Sequence, residues 1–186
     1  MPDEIESKIR VPCHAPVREK LKRAQAEYVG LVLETNHLFD DAEASLLQSG
    51  CGLRVRECRT LDGPDHPATL TYKGPPRPGI YKRRTEIEVR IEDPAAMIDI
   101  LTQLGFSEHL QFEKKRESWQ MRDCRIELDE LPEIGCFVEV EGSGEDEIKA
   151  ALSWLGLTGS DPLRETYAAL LSQDRPERPL IIKFPA

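Results

Sequence analysis

Apolar residues alternate with charged ones in many short segments of this chain, and a period of two is typical of β-strands with two chemically different faces. Turn-forming sequences such as Asp62-Gly63-Pro64 and Gly142-Ser143-Gly144 separate several of these segments. The pattern predicts eight strands, near residues 3–11, 31–39, 52–59, 67–73, 81–91, 110–120, 123–130 and 135–141. We therefore expect the centre of the fold to be one antiparallel sheet.

Helical spacing of apolar residues is found in five segments between and after the predicted strands. The predicted helices span residues 17–28, 41–49, 95–104, 145–155 and 162–171. The third has the clearest boundaries, because Asp93 is a suitable N-cap, Pro94 suits the first turn and Gly105 follows the end. The pattern predicts a single α+β domain over residues 1–174 and a C-terminal tail over 175–186. We expect the apolar part of the tail to dock on its own domain rather than on a partner subunit.

Five of the predicted strands carry charge along one whole face, often with both signs. Side chains at positions i and i+2 of a strand share a face, so these charges are neighbours. The charged faces hold Glu4, Glu6 and Lys8; Arg54 and Arg56; Lys82, Arg84, Glu86 and Glu88; Arg125, Glu127 and Asp129; and Glu139 and Glu141. Apolar residues such as Ile5, Ile9 and Val138 occupy the opposite faces.

Two interpretations of these charged faces are open. A charged face on the outside of a sheet, covered by water, is common. If instead the apolar faces pack beneath the helices, the charged faces of a curved or closed sheet point toward one another and enclose a charged lumen. Mixed charges at close range need water, ions or a ligand, and they are tolerated chiefly at functional sites. Because five strands share the pattern, we favour the lumen.

The composition limits the classes of protein to consider. The chain has 186 residues with 25 basic and 34 acidic side chains, and its net charge of −9 argues against a surface for long nucleic acids. No apolar run approaches the ~18 residues of a membrane span, and no signal peptide follows Met1. The five cysteines form no C-x-x-C pair and the four histidines are scattered, which argues against structural zinc. We expect a cytoplasmic domain in a reduced compartment, with no membrane partner.

The charged faces point to chemistry on a small polyanion. Carboxylates at i and i+2, such as Glu4 and Glu6 or Glu139 and Glu141, are hard oxygen ligands that suit Mg²⁺ or Mn²⁺. Clusters of lysine and arginine suit phosphate oxygens. The combination indicates a metal-bridged polyphosphate. The sequence contains neither a P-loop motif nor a Ser/His/Asp constellation.

These charged residues fall into an ordered series of motifs. It opens with Glu4-x-Glu6-x-Lys8 and, after Phe39-Asp40, continues with Gly52-Leu53-Arg54-Val55-Arg56-Glu57, Leu70-Thr71-Tyr72-Lys73-Gly74-Pro75, Arg84-x-Glu86-x-Glu88, Glu113-Lys114-Lys115-Arg116, Leu128-Asp129-Glu130 and Gly135-x-Phe137-x-Glu139-x-Glu141. In order and spacing, over roughly residues 4–141, the series resembles the CYTH domain of the triphosphate tunnel metalloenzyme superfamily. The Lys-Gly-Pro and Glu-Lys-Lys-Arg segments are most similar to the class IV adenylate cyclase-like branch.

The resemblance implies an eight-stranded antiparallel closed β-barrel that forms a tunnel, with helices around it. By similarity, two Mg²⁺ or Mn²⁺ ions would be held by Glu4, Glu6, Asp129, Glu139 and Glu141. The triphosphate would be bound by Lys8, Arg54, Arg56, Lys73, Arg84, Lys114 and Arg116, with Glu86 and Glu88 lining the tunnel. Glu4, Glu6 and Lys8 would be catalytic; Lys8 could assist in activating the nucleophile, although phosphate binding is its favoured role. A homodimer is also consistent with the family.

The implied function is an enzyme that acts on a small polyanion such as inorganic triphosphate or ATP. Hydrolysis of a linear triphosphate is favoured, because it needs only the motifs named above. The alternative is a class IV adenylate cyclase, which converts ATP to cyclic AMP and pyrophosphate and needs an adenine and ribose site that the sequence does not reveal. A non-catalytic polyphosphate or nucleotide sensor is a further alternative.

A few side chains near the motifs carry separate expectations. The segment Asn36-His37-Leu38-Phe39-Asp40 departs from the Asp-x-Tyr-Phe-Asp that the family often shows, and His37 has the parity of Phe39, so it should face the packing side. Trp119 and Trp154 are expected to be packing residues. Lys115 alternates with its neighbours and should point away from the lumen.

Overall fold

A computed structural model of the protein describes residues 3–79, 81–173, 175 and 179–185, with the side chains of Asp3 and Glu4 outside the description. Nine strands are present in this part of the chain: β1 (Asp3–Val11), β2 (Glu27–Asp40), β3 (Gly52–Asp62), β4 (Ala68–Lys73), β5 (Lys82–Ile91), β6 (Ser107–Met121), β7 (Cys124–Leu131), β8 (Gly135–Gly142) and β9 (Leu180–Ile182). The first eight confirm the strands predicted from the alternating pattern.

The first eight strands close into a barrel. Their order is β2-β3-β4-β5-β1-β8-β7-β6, and β6 pairs with β2 to complete the ring. Every pairing within this ring is antiparallel. The predicted fold class, an α+β protein with an eight-stranded antiparallel closed barrel, is therefore confirmed.

Five helices accompany the barrel within the described residues: α1 (Ala15–Arg23), α2 (Ser45–Gln48), α3 (Pro94–Gln103), α4 (Glu145–Trp154) and α5 (Tyr167–Ser172). The largest apolar cluster lies between α1, α4 and the outer face of the barrel, where Leu21 and Ile148 pack against Ile9, Ile126 and Val140. A second cluster joins Leu101 of α3 to Phe39 and Val55. These two clusters lie outside the barrel, and none of these helices is long and apolar enough to cross a membrane.

The strand faces that point inward are charged and largely inaccessible to solvent. Buried charged residues include Glu6, Lys8, Glu34, Arg84, Lys114, Glu127, Asp129 and Glu139. The apolar residues that alternate with them face the helices, as for Val138 and Val140 on either side of Glu139. Of the two interpretations of the charged faces, the structure therefore has the enclosed lumen.

Three helix predictions are wrong at their ends. The helix expected over 41–49 is only the single turn Ser45–Gln48. The helix expected over 17–28 ends at Arg23, because Gln25 adopts a left-handed conformation (φ 54°) and Tyr28 already belongs to β2. The helix expected over 162–171 begins only at Tyr167. Leu163 instead forms a β-bridge with Lys8, so tertiary pairing outweighs the Asp-Pro start signal, and the side chain of Thr166 caps the helix by accepting a hydrogen bond from the N–H of Ala169 at 3.1 Å.

The tail adds a ninth strand to the barrel wall. β7 pairs with β6 over Lys115–Met121, which leaves the earlier part of that edge of β6 open. β9 pairs in parallel with Leu110–Phe112 of this edge. Ile182 packs into a cluster with Leu110, Phe112 and Leu171. The apolar segment of the tail therefore docks on its own domain, where it covers backbone groups that would otherwise be an exposed sheet edge.

We predict that Ile182→Ala lowers the free energy of unfolding by about 3 kcal/mol, because a buried side chain is replaced by a cavity. Ile182 is 3% exposed, whereas the neighbouring Ile181 is 58% exposed and supplies the matched control. Urea denaturation followed by circular dichroism measures both. Equal losses for Ile182→Ala and Ile181→Ala would contradict the docking of β9.

Candidate active site in the barrel lumen

The lumen is a cavity of about 1140 Å³ lined by side chains from the barrel strands, α2 and the α5 region. Among the described residues that line it, eleven are lysine or arginine and eight are aspartate or glutamate. The lumen therefore carries an excess of positive charge inside a chain whose net charge is −9. A small anion is the ligand class that this balance favours.

All seven residues predicted to bind triphosphate line this cavity. They are Lys8, Arg54, Arg56, Lys73, Arg84, Lys114 and Arg116. Lys82, Arg90, Arg125 and Arg164 add to the positive lining. The lumen thus brings together cations from six strands, several of them far apart in sequence.

The carboxylates predicted to bind metal or to line the tunnel do not all line this cavity. Glu6, Glu86, Glu88, Glu139 and Glu141 line the cavity, with Glu141 exposed at its rim. The side chain of Glu4 lies outside the described part of the structure, although its backbone pairs opposite Arg84. Asp129 is completely buried and does not reach the lining. Its Oδ1 accepts a hydrogen bond from Nε of Arg116 at 2.7 Å, and its Oδ2 accepts one from Nη2 of the same residue at 2.6 Å.

Several of the ion pairs in the lumen join residues that lie directly opposite each other on neighbouring strands. Five pairs have this arrangement: Lys8 with Glu139, Lys82 with Glu6, Lys73 with Glu86, Lys114 with Glu34, and Arg116 with Asp129. The N···O distances are 3.3 Å for Lys8–Glu139, 2.7 Å for Lys73–Glu86 and 3.1 Å for Lys114–Glu34. Barrel register therefore determines which charges meet.

Glu139 links two of these pairs into a network. One of its oxygens faces Nζ of Lys8 and the other accepts a hydrogen bond from Nη2 of Arg116, whose guanidinium also binds Asp129. Burial opposes ionisation of Glu139, but the charges of Lys8, Arg116 and Lys114 outweigh it and hold the pKa of Glu139 well below its usual value. The carboxylate is therefore ionised at neutral pH.

Glu34 is a buried residue that the sequence reasoning missed. Its carboxylate lies between Lys114, Arg56 and Arg116, at 3.1, 3.4 and 3.9 Å. Burial would raise the pKa of Glu34, yet these cations hold it well below its usual value. Glu34 was overlooked because it is the only charged residue on the inward face of the central part of β2; its alternation with Val32 and Asn36 is the signal that could have revealed it.

Several lumen cations keep unused hydrogen-bonding capacity. Within the described residues, the buried Nε atoms of Arg54, Arg56 and Arg84 have no hydrogen-bond partner. Burial, together with the neighbouring charge of Arg56, lowers the pKa of Arg54 to about 10. The pKa of Lys114 is likewise lowered, mainly by burial and to a smaller extent by the charge of Arg116. An anion placed among them would satisfy these donors and favour their charged forms.

The donor set also fits a divalent cation. Glu6 lies directly opposite Glu141, and Glu127 lies directly opposite Glu139, so two like-charge pairs are neighbours on three adjacent strands. Like charges in this position are destabilising unless a cation lies between them. Among the described residues no group of three or more acidic, histidine or cysteine side chains is already assembled as a metal site. Lysine and arginine side chains lie between the carboxylates, so metal binding requires some of the ion pairs to open.

The cavity also has an apolar part. Leu46, Leu47, Leu53, Pro76 and Ile87 line it, and Leu47 and Ile87 are largely exposed. The carboxylate of Asp40 accepts hydrogen bonds from the N–H groups of Leu46 and Leu47 at 3.0 and 2.9 Å, so it holds α2 against this part of the lining. The acidic side chain of the Phe39-Asp40 motif therefore has a structural role, because it holds α2 in place.

Three residues outside the lumen test the predicted strand register. Lys115 points outward, with its Nζ 4.2 Å from the ring centroid of Phe184, and Trp119 is packed beneath the helices, both as expected. His37 faces the outside, but its partners are the carboxylates of Glu57 and Glu108 rather than apolar residues.

The prediction that Trp154 is a packing residue is wrong, because it is 57% exposed. The buried face of α4 holds Ile148, Ala151, Leu152 and Leu155, and Trp154 lies off that face. The guanidinium of Arg122 lies 5.5 Å from its ring centroid.

A closed antiparallel barrel with paired cations and carboxylates in its lumen defines a tunnel-type barrel protein. The sequence profile of the CYTH domain family matches residues 2–156. The chain belongs to the CYTH domain family, which confirms the resemblance noted in the motifs.

Three relatives show how far the similarity extends. A Methanocaldococcus jannaschii protein described as a "putative adenylate cyclase" is 28% identical over 176 residues, which cover 90% of this chain and 97% of the relative. A solved structure from Pyrococcus horikoshii OT3 has a TM-score of 0.79 and 27% identity, covering 92% of this chain and 99% of the other. A Hippeastrum structure, described as a "putative adenylyl cyclase" with a dominant triphosphatase activity, has a TM-score of 0.68 and 19% identity, covering 90% and 94%.

We predict that Glu34→Gln lowers the free energy of unfolding by about 3 kcal/mol at pH 7, because three buried cations lose a compensating charge. The folded-state pKa of Glu34 lies below its unfolded value, so its contribution is present above about pH 4.3 and is lost as the pH falls toward the folded pKa. The difference between wild type and variant should therefore shrink below about pH 4. Denaturation curves from pH 7 to pH 3 measure this.

The matched control for this experiment is Glu130→Gln, since Glu130 is exposed on the outer face of β7. We expect it to change the free energy of unfolding by less than about 0.5 kcal/mol at every pH. A loss for Glu34→Gln that is independent of pH would contradict the assigned ionisation of Glu34.

Proposed function

We propose that the protein hydrolyses a triphosphate, inorganic or organic, in the lumen of the barrel with the help of Mg²⁺ or Mn²⁺. The observation that carries the proposal is the excess of lysine and arginine in a closed cavity that also holds carboxylates on adjacent strands. Phosphoryl transfer depends mainly on positioning and charge neutralisation, and this lining is suited to both. Membership of the CYTH family and the activity described for the Hippeastrum relative agree with it.

The basic residues have the role of binding the phosphate chain. Arg54, Arg56 and Arg84 offer unsatisfied Nε donors, while Lys8, Lys73, Lys114 and Arg116 offer charges that now face carboxylates. Arginine presents a planar fork to phosphate oxygens and lysine acts as a point charge. Glu86 holds Lys73, and Glu88 accepts a hydrogen bond from Thr71, which in turn accepts one from Arg54, so these two carboxylates orient the binding groups.

The metal would be held by Glu4, Glu6, Glu139 and Glu141, whose oxygens are the ligands that Mg²⁺ and Mn²⁺ prefer. When bound, divalent ions neutralise charge on the phosphate oxygens and help to orient them. Asp129, which the resemblance places with these ligands, serves in this arrangement to hold Arg116 and Lys114. We therefore propose an orienting role for Asp129 alongside the metal role that the family implies.

In the reaction, a water oxygen attacks the terminal phosphorus, the bond to the bridging oxygen breaks, and phosphate and the shortened polyphosphate leave. The attacking water gives its proton to a phosphate oxygen or to solvent, and negative charge develops on the leaving oxygen. Lys8 and Arg116, both bound to Glu139, lie where they can neutralise that charge. Among the residues implied as catalytic, Glu4 and Glu6 act through metal binding, and Lys8 acts mainly as a phosphate-binding cation.

Adenylate cyclase activity is a second candidate, and one observation favours it. Leu46, Leu47, Leu53 and Pro76 give the cavity an apolar part that inorganic triphosphate does not need. A nucleoside could lie there, with its phosphates among the cations. The name of the Methanocaldococcus relative points to the same reaction. A non-catalytic polyphosphate sensor is less well supported, because carboxylates such as Glu6, Glu139 and Glu141 weaken phosphate binding unless a metal is present.

We predict that the protein with Mg²⁺ or Mn²⁺ converts inorganic triphosphate to phosphate and pyrophosphate, and that chelation of the metal abolishes turnover. Phosphorus NMR of parallel reactions with inorganic triphosphate, ATP and thiamine triphosphate identifies the products. Pyrophosphate with cyclic AMP from ATP would replace hydrolysis by cyclisation. Binding of all three compounds without turnover would favour the sensor.

The carboxylate assignment has its own prediction. Glu141→Gln and Glu139→Gln should each lower kcat at least about hundredfold, because the metal loses a ligand oxygen. Glu130→Gln, on the outer face, should retain wild-type turnover. Undiminished activity in both lumen variants would contradict the metal assignment, provided that circular dichroism shows the barrel to be folded.

A further pair of variants tests the strand register. Arg56→Ala should raise KM for triphosphate at least about tenfold, since it removes a charged hydrogen-bond donor from the lumen. Lys115→Ala changes the neighbouring face and should leave KM within about twofold. The reverse ranking would mean that the inward and outward faces are exchanged, as a shift of one residue in register would cause.

A further inference from the structure

The segment Leu163–Ala169 forms part of the lumen wall although it lies outside the barrel strands and outside the matched family profile. The N–H of Leu163 donates a hydrogen bond to the carbonyl oxygen of Lys8 at 2.7 Å. In return, Nζ of Lys8 donates one to the carbonyl oxygen of Glu165 at 3.1 Å. The segment is therefore attached to β1 at Lys8, whose side chain lines the lumen.

Tyr167, the first residue of α5, belongs to this segment, and its side chain contacts the charged network of the lumen. It is buried and lines the cavity. Its hydroxyl donates a hydrogen bond to Oδ2 of Asp129 at 2.9 Å. Phe137 contacts its ring edge to face, with centroids 5.1 Å apart, and so fixes the plane of the ring.

The face of this ring lies beside two of the lumen lysines. Nζ of Lys8 is 3.9 Å from the ring centroid, and Nζ of Lys114 is 5.4 Å from it. Both distances are within the range of cation–π attraction, which depends on the ring quadrupole. A carboxylate in the same place would hold the two ammonium groups by cancelling their charge. The ring contacts them without adding negative charge to that of the carboxylates with which they already pair.

We propose that Tyr167 is a positioning residue that holds Lys8 and Lys114 in place for the triphosphate without adding negative charge beside them. The inference rests on the proposed function, because it takes the two lysines to be phosphate-binding groups. It adds that substrate affinity depends on a residue of the C-terminal segment that touches the lysines. The ring face carries the effect, and the hydroxyl contributes only the orientation of the ring.

The test uses Tyr167→Phe and Tyr167→Leu in the full chain, with two separate readouts. Isothermal titration calorimetry with inorganic triphosphate, without divalent metal, measures affinity, and steady-state kinetics with Mg²⁺ measures KM and kcat. Tyr167→Phe should change the dissociation constant by less than about threefold, because the ring remains. Tyr167→Leu should raise both the dissociation constant and KM roughly tenfold, the factor expected from losing cation–π contacts, while kcat changes less.

Leu171→Ala is the matched control for a merely structural effect. Leu171 is buried on the same helix and packs in the same cluster as Tyr167. We expect this variant to lower the melting temperature without changing the dissociation constant. If it weakens binding as much as Tyr167→Leu, or if Tyr167→Leu leaves affinity unchanged, the inference is wrong. Equal losses for Tyr167→Phe and Tyr167→Leu would also overturn it, because the hydroxyl would then carry the effect.

A double-mutant comparison separates action through the lysine from a general change in the lumen. In a Lys8→Ala background, Tyr167→Leu should raise the dissociation constant clearly less than it does in wild type. An undiminished effect would contradict the inference. If the wild type binds triphosphate but does not hydrolyse it, the proposed function fails while the binding arm still decides the role of Tyr167. If the wild type does not bind triphosphate at all, both are overturned.

Discussion

Pairing of charges across neighbouring strands is the constraint on which the rest of this structure depends. A barrel that encloses charged side chains must give each of them a partner, because an unpaired buried charge is far more costly than a paired one. The register supplies many of these partners directly, since five lysine or arginine residues lie opposite the acidic residue with which they form an ion pair. A shift of one residue in any of these strands would move its charges into the apolar clusters outside.

The same constraint explains why most of the hydrophobic core lies outside the barrel. With most of the lumen occupied by charge, apolar burial comes mainly from the outer face, which α1, α3 and α4 cover. The C-terminal segment instead packs against inward-facing apolar residues such as Phe112 and Phe137. The lumen nevertheless contains more cations than carboxylates and keeps unsatisfied guanidinium donors. The charges of the lumen are therefore only partly paired. A small anion can satisfy the cations and guanidinium donors that remain. The net negative charge of the chain resides on its surface and does not describe its interior.

Periodicity alone predicted the eight barrel strands, because alternating charged and apolar faces are a signal that no other element produces. The repetition of that signal on five strands favoured an enclosed lumen, and the resemblance carried by the motif series implied the closed eight-stranded barrel and the charges that share its lumen. What escaped prediction depends on tertiary contacts. Glu34 has no charged neighbour on its own strand, and its role comes from Lys114 on another. The start of α5 is set by the pairing of Leu163 with Lys8, which no local signal in the sequence reveals.

The family profile ends at residue 156, whereas the lumen wall continues into the segment that carries Arg164, Thr166 and Tyr167. The family profile that identifies this chain therefore does not include all of the residues that line its lumen. A substitution in the C-terminal wall would leave every signature motif intact and still alter what the tunnel holds. Alignment of the barrel strands by itself would therefore not reveal a change in this part of the lumen wall.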